Sequence, residues 1–222
     1  MATPLRIDFV SDVTCPWCAI GLRSLERAIA NLGDAVPVVL HLQAFELNPG
    51  MAHEGEPIAE YAARKYGAGA DVLAARQALI RKRGREVGYD FRLRTHVYNT
   101  FDAHRLLHWA GLHGKALDLK RALLVAYHCR GDNPARHDVL LGAAAGVGLD
   151  AERARDVLAG DAYAADVRAS VSRWRRLGID SVPSVVINER HLIQGGQTVE
   201  TYERALRRIA SALSPLPHAG EG

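Results

Sequence analysis

The sequence is poor in sulfur, with three cysteines and two methionines in 222 residues. An odd count of three excludes a densely disulfide-stapled scaffold and leaves at most one internal pair. Long hydrophobic runs are also missing, and no segment approaches the roughly 20 apolar residues of a membrane span. No apolar stretch follows Met1–Arg6, because the strand-like Ile7-Asp8-Phe9-Val10 comes at once. No secretory leader is read there, and the expected address is the cytoplasm. Neither sign of charge is in large excess: 28 Lys and Arg against 25 Asp and Glu give +3. The basic runs Arg81-Lys82-Arg83-Gly84-Arg85 and Arg173 to Arg176 are therefore read as solvated helix faces or ends. Neither nucleic acid nor a membrane is expected as a partner. What remains, 48% hydrophobic and 24% charged residues, is ordinary for a globular chain with a real core.

Against this background Cys15-Pro16-Trp17-Cys18 stands out for its placement. Leu5 to Val10 alternates apolar and polar residues and reads as a strand. Ser11 to Thr14 form the turn after it, with Thr14 as expected helix N-cap. From Pro16 the pattern is helical: Ile20, Leu22, Leu25, Ile29 and Leu32 make an apolar stripe that ends at Gly33. The first sulfur then sits beside unpaired backbone N–H groups and the positive end of the helix dipole, which favour thiolate. The second lies one turn on, at a Cα separation of roughly 5 Å that a disulfide can close. Pro16 suits the first helical turn and shapes it. A zinc site would need two further ligands, and the lone Cys129 with scattered histidines offers no matching pair. Between redox exchange, zinc and an inert pair, the placement favours exchange, and no metal is expected.

Val36 to Phe45 reads as a second strand, apolar enough to be buried on both faces, and Asn48-Pro49-Gly50 stops it. Residues 57–178 carry apolar residues at helical steps in seven segments: Ile58–Tyr66, Ala70–Val87, Phe101–Leu112, Ala116–Cys129, Arg136–Ala145, Ala151–Ala159 and Tyr163–Leu177. Strand signals return at Ser184–Asn188 and His191–Gln194, joined as a hairpin, before a last amphipathic helix over Thr198–Leu213. Residues 214–222, with two prolines and two glycines, read as a disordered tail.

β-α-β followed by β-β-α, with a Cys-X-X-Cys opening the first helix, resembles the thioredoxin fold. The long helical insertion makes it similar to the DsbA-like branch. Three strings carry the likeness further: Ser11-Asp12-Val13-Thr14-Cys15-Pro16-Trp17-Cys18, Asn99-Thr100-Phe101-Asp102-Ala103-His104-Arg105-Leu106, and Val182-Pro183. Together they resemble FrnE-type thiol–disulfide oxidoreductases, which are related to 2-hydroxychromene-2-carboxylate isomerase. The resemblance implies an α/β class with a discontinuous thioredoxin-like domain over 1–56 and 179–213 and a helical subdomain over 57–178.

It also implies roles. Cys15 is the more exposed nucleophile and Cys18 the buried resolving thiol. Pro183 follows a cis bond facing the pair, leaving the backbone of Val182 to pair with an extended substrate. Pro16, Trp17, Val182, Asn99 and His104 contact substrate, with Arg105 beside them and Trp17 exposed. Capping by Asn99 and a structural bond for His104 stay open as the blander readings. Asp12 is read as a turn residue and Cys129 as a small, partly buried one. No resident cofactor is implied. Glutathione is a candidate co-substrate, and a glutathione or thioredoxin-type donor supplies electrons to exchange with a protein or small-molecule disulfide. Two other readings remain: a glutathione-dependent isomerase or kappa-class transferase, which typically carries serine in place of the first cysteine, and a non-enzymatic peptide-binding groove.

Overall fold

The computed structural model describes residues 4–213, so the tail expected over 214–222 lies outside the described residues. The first half runs β1 (Leu5–Ser11), α1 (Pro16–Leu32), β2 (Val38–Ala44), β3 (Glu56–Pro57), α2 (Ile58–Tyr66), α3 (Ala70–Glu86) and β4 (His96–Val97). The second half runs α4 (Phe101–Leu112), α5 (Ala116–Val125), α6 (His137–Gly146), α7 (Ala151–Ala159), α8 (Ala164–Arg176), β5 (Ser184–Ile187), β6 (His191–Gln194) and α9 (Val199–Leu213). Among the described residues no helix is long and apolar enough to cross a membrane.

Four strands form one mixed sheet in the order β2-β1-β5-β6. β1 pairs parallel with β2 and antiparallel with β5. Alternation along β1 and β5 builds two cores, because successive side chains point to opposite faces. Ile7, Phe9, Val185 and Ile187 pack with Leu22, Leu25, Tyr202, Leu206 and Ile209 of α1 and α9. Val10 and Val186 face the other way, onto Phe45, Trp174 and Ile179. Asp8 is buried on β1, and its carboxylate accepts from Arg6 and from Gln43 Nε2 at 2.7 Å. A third core, with Leu106, Leu119, Leu123, Leu140 and Val157, joins the inserted helices and takes in Val13 from the β1–α1 loop.

Three local expectations change. β2 is the edge strand, partly exposed along its length, and not a strand buried on both faces. Its apolar residues do cover a face, but β1 is its one sheet neighbour. The helix expected to reach Cys129 becomes a π-helical turn over Ala126–Arg130, closed by Gly131 at φ 81°. β3 and β4 form a two-residue ribbon too short to leave a periodic signal.

Gly196 lets the turn before α9 lie against the start of α1. A Cβ there would sit 2.8 Å from the Trp17 carbonyl oxygen. Gly196→Ala is expected to destabilise the fold by about 1–3 kcal/mol through overpacking. Thermal denaturation should show a midpoint lowered by on the order of 2–10 °C; an unchanged midpoint contradicts the close approach.

Candidate active site

The β1–α1 junction is held from three sides. Asp12 accepts from the Leu47 N–H at 2.8 Å and lies 3.4 Å from His104 Nε2 on α4. The Val13 carbonyl accepts from His128 Nε2 at 3.0 Å, and the Ser11 carbonyl from the Phe45 N–H at 3.2 Å. Cys15, not Thr14, is the N-cap, with extended backbone (φ −85°, ψ 113°), and Pro16 opens the helix. Its carbonyl accepts from the Cys18 and Ala19 N–H groups at 3.1 and 3.3 Å. Pro16 contributes no donor there, so the pair's backbone geometry is set by these two bonds.

Both thiols are reduced and buried, Cys15 at 4% exposure and Cys18 at 0%. The expected contrast between an exposed nucleophile and a buried partner is therefore small in area. It is large in electrostatics. The hydrogen bond from the Cys18 thiol lowers the Cys15 pKa, burial opposes, and the Cys18 N–H and the charge of Arg94 add to the lowering. Cys18 moves the other way, well above the usual thiol range, because burial disfavours its charge and its proton is engaged by Cys15.

The Val182–Pro183 peptide bond is cis, and the Cys15 thiol donates to the Val182 carbonyl at 3.6 Å. A Cβ on Gly21 would lie 3.1 Å from Pro183 Cγ, so α1 and the Pro183 loop are in close register. Behind the pair, burial would raise the Asp12 carboxyl, but the bond and charge of His104 and the Leu47 N–H hold it low. Lys120 on α5 is buried; burial lowers its pKa, and Cys18, Asp12 and Cys15 pull back.

Cys15, Pro16, Trp17 and Val182 line one cleft of about 1020 Å³, floored by residues that include Leu47, Ile58, Tyr61, Leu79 and Ile80. Trp17 is half-buried against the α1–α9 core and not fully exposed. Asn99 and His104 do not line this cleft. The Asn99 amide donates to the Met51 carbonyl and accepts from the Phe101 N–H, both at 2.8 Å, which satisfies the first turn of α4. His104 is buried against Asp12 and borders a separate cavity of about 60 Å³ with Lys120, Gln43 and Ser170. Arg105 is buried too. It donates to the carbonyls of Val157, Gly160 and Ala162 and pairs with Asp102, tying α4 to the α7–α8 connection. Among the described residues no group of three His, Cys, Asp or Glu side chains lies close enough to hold a metal.

Two charged residues escaped the sequence. Lys120 had a signal: it lies among Leu119, Leu123 and Leu124 on the buried side of α5. Arg94 had none, because it sits in an aperiodic loop between α3 and β4.

The fold agrees with comparison to known proteins. The chain belongs to the DSBA-like thioredoxin domain family, whose sequence profile matches residues 6–207. It is similar to a probable DsbA oxidoreductase from Streptomyces coelicolor at 31% identity and TM-score 0.87, covering 96% of this chain and 93% of that one. Its fold is also that of 2-hydroxychromene-2-carboxylate isomerase (14% identity, TM-score 0.71, covering 95% and 100%). The cytosolic disulfide reductase DsbM of Pseudomonas aeruginosa, solved with GSH, shares the fold at 17% identity and TM-score 0.63, covering 93% and 99%. No curated protein matched the chain.

Alkylation of the reduced protein against pH is expected to show Cys15 reacting with a midpoint below the ordinary thiol value of about 8.5. Cys18→Ala should raise that midpoint, since the Cys18 thiol is the leading cause of the lowering. An identical midpoint in both proteins contradicts the assignment. His128 gives a second test. Burial lowers its pKa to about 3 in the folded chain, against about 6.5 when unfolded. Between those values the unfolded chain binds a proton that the folded one refuses. Stability present above pH 6.5 is thus lost on acidification at up to about 1.4 kcal/mol per pH unit from this residue. Urea denaturation from pH 7 to pH 5 should show a shallower slope in His128→Gln; equal slopes contradict it.

Proposed function

We propose that the chain is a thiol–disulfide oxidoreductase acting through Cys15 and Cys18. The observation that carries this is the placement of two buried thiols at the start of α1, with the Cys15 thiol donating to the Val182 carbonyl beside Pro183. Their tuning is opposed: Cys15 is lowered chiefly by the Cys18 thiol, and Cys18 is raised chiefly by burial. The Cys15 thiolate attacks one sulfur of a substrate disulfide. The substrate S–S bond breaks, a mixed disulfide forms, and one substrate thiolate leaves. Cys18 then loses its proton, favoured by the charge of Lys120, and attacks Cys15 Sγ. The second substrate thiolate departs and takes up a proton, leaving the Cys15–Cys18 disulfide. Two electrons have passed from protein to substrate, and the reverse sequence donates the disulfide.

In this reading Pro183 closes the site beside the sulfurs, and Pro16, Trp17 and Val182 contact the substrate, with the Val182 backbone available to pair with an extended chain. Asn99 and His104 act on structure: one orders the start of α4, the other holds Asp12. The site needs no resident cofactor. Its working place is the cytoplasm, where glutathione or a thioredoxin-type protein serves as electron donor.

Cys15→Ser should lower disulfide turnover at least about 100-fold, as expected for loss of a nucleophile. Cys18→Ser should still attack and should accumulate a mixed disulfide visible by intact mass. Glutathione-dependent isomerisation or conjugation that survives Cys18→Ser, with no disulfide exchange in the wild type, overturns this reading in favour of the isomerase or transferase class. Unchanged peptide capture with both cysteines mutated, again with no exchange, favours a binding groove.

A further inference from the structure

The cleft around Cys15 carries more charge than exchange chemistry needs. Its lining includes Lys65, Arg76, Arg94 and Arg175 against the two carboxylates of Glu46 and Asp180. It continues through Glu46 and Arg175 into a second groove of about 450 Å³ that adds Arg168 and Arg176. Across both linings stand six cations and two acids, in a chain whose net charge is only +3. Burial raises the Glu46 carboxyl.

Among the described residues none of these cations forms an ion pair with a carboxylate within 4.0 Å, though the charges of Arg175 and Arg168 act on Glu46. Ion pairs occupy neighbours such as Arg64 with Glu56 and Arg173 with Glu189. Five of the six instead meet neutral groups. Lys65 donates to the Leu47 carbonyl and Asn48, Arg175 to the Glu46 carbonyl, and Arg176 to the Ser172 hydroxyl. Arg76 and Arg168 lie over the rings of Tyr66 and Phe101. Rings and carbonyls orient a cation without neutralising it, so the field of both walls is directed at whatever enters.

The layout also sets the length of the occupant. Arg168 and Arg176 are eight residues apart on α8, about 12 Å along its axis. That span alone matches roughly four extended residues, and the Cys15 cleft extends it. Between the cations the floor is apolar, with Tyr66 and Leu79 among the more exposed large hydrophobics.

Building on the oxidoreductase reading, we propose that this double groove selects disulfides carried on an extended acidic peptide, whose carboxylates meet the six cations while apolar residues beside its cysteine rest on the floor.

The test uses the full chain and fluorogenic disulfide peptides of one core sequence, flanked by Glu, Gln or Lys, with glutathione disulfide as the small anionic comparator. The expected kcat/KM for the Glu-flanked peptide exceeds that of the Lys-flanked one about tenfold at low salt, and the ratio approaches one in about 0.5 M salt. In the double variant R168E/R176E the Glu-to-Lys ratio should fall at least severalfold. Equal rates for the three peptides overturn the proposal and leave exchange intact, as does glutathione disulfide outpacing the Glu-flanked peptide. If no disulfide reacts and Cys15→Ser matches the wild type, the oxidoreductase reading itself fails, and with it this one.

Discussion

The placing of the Cys15 and Cys18 thiols side by side at the start of α1 is the constraint on which the rest of the site depends. Cys15 is buried, and burial alone would keep it protonated and inert. A neighbouring S–H, the Cys18 N–H at the start of α1 and the charge of Arg94 reverse that preference. Burial first, and then the neighbouring Cys15 thiol, raises Cys18, so the two thiols are tuned in opposite directions. In the proposed exchange, position alone thereby makes an attacking group and a reserve group from two identical side chains.

Holding this asymmetry requires a rigid strand-to-helix junction, and the fold clamps it with elements distant in sequence. Asp12 ties it to the segment after β2 and to α4, and the Val13 carbonyl ties it to the π-helical turn through His128. Asp12 brings a negative charge that opposes the Cys15 thiolate, and His104 and Lys120 offset its field. The inserted helices thus do two jobs. Their inner side supplies the groups that hold and balance the junction. α2, α3 and the loop bearing Arg94, with α8 opposite, wall the cleft in front of it.

Much of this was legible in the sequence, for identifiable reasons. Alternation in β1 and the Ile20–Leu32 stripe of α1 are strong periodic signals, and they place Cys15 at the junction without further help. Sheet order is a different matter. β2 is apolar enough to read as an interior strand, yet nothing local says that a single strand flanks it. The string from Asn99 to Leu106 resembles a site motif in the sequence, but its members work inward. Asn99 closes a helix start, His104 holds Asp12 and Arg105 binds three carbonyls. Side-chain direction on α4 depends on what packs around it, which pattern does not encode. Arg94 lay hidden for the same reason. The run Arg173 to Arg176, read as a solvated helix end, contributes Arg175 and Arg176 to the groove linings because α8 closes one side of the site.

A stabilised Cys15 thiolate favours the dithiol state, and therefore makes the disulfide form the better oxidant. The most direct measurement is equilibration of the full chain with glutathione redox buffers, following loss of two thiols by quantitative alkylation and mass. The expected result is one reversible two-electron transition confined to Cys15 and Cys18, with Cys129 remaining free. Its potential should be more positive than thioredoxin's value of about −270 mV. A pair that forms no reversible disulfide, or one whose potential lies below about −300 mV in the range of structural disulfides, contradicts the account.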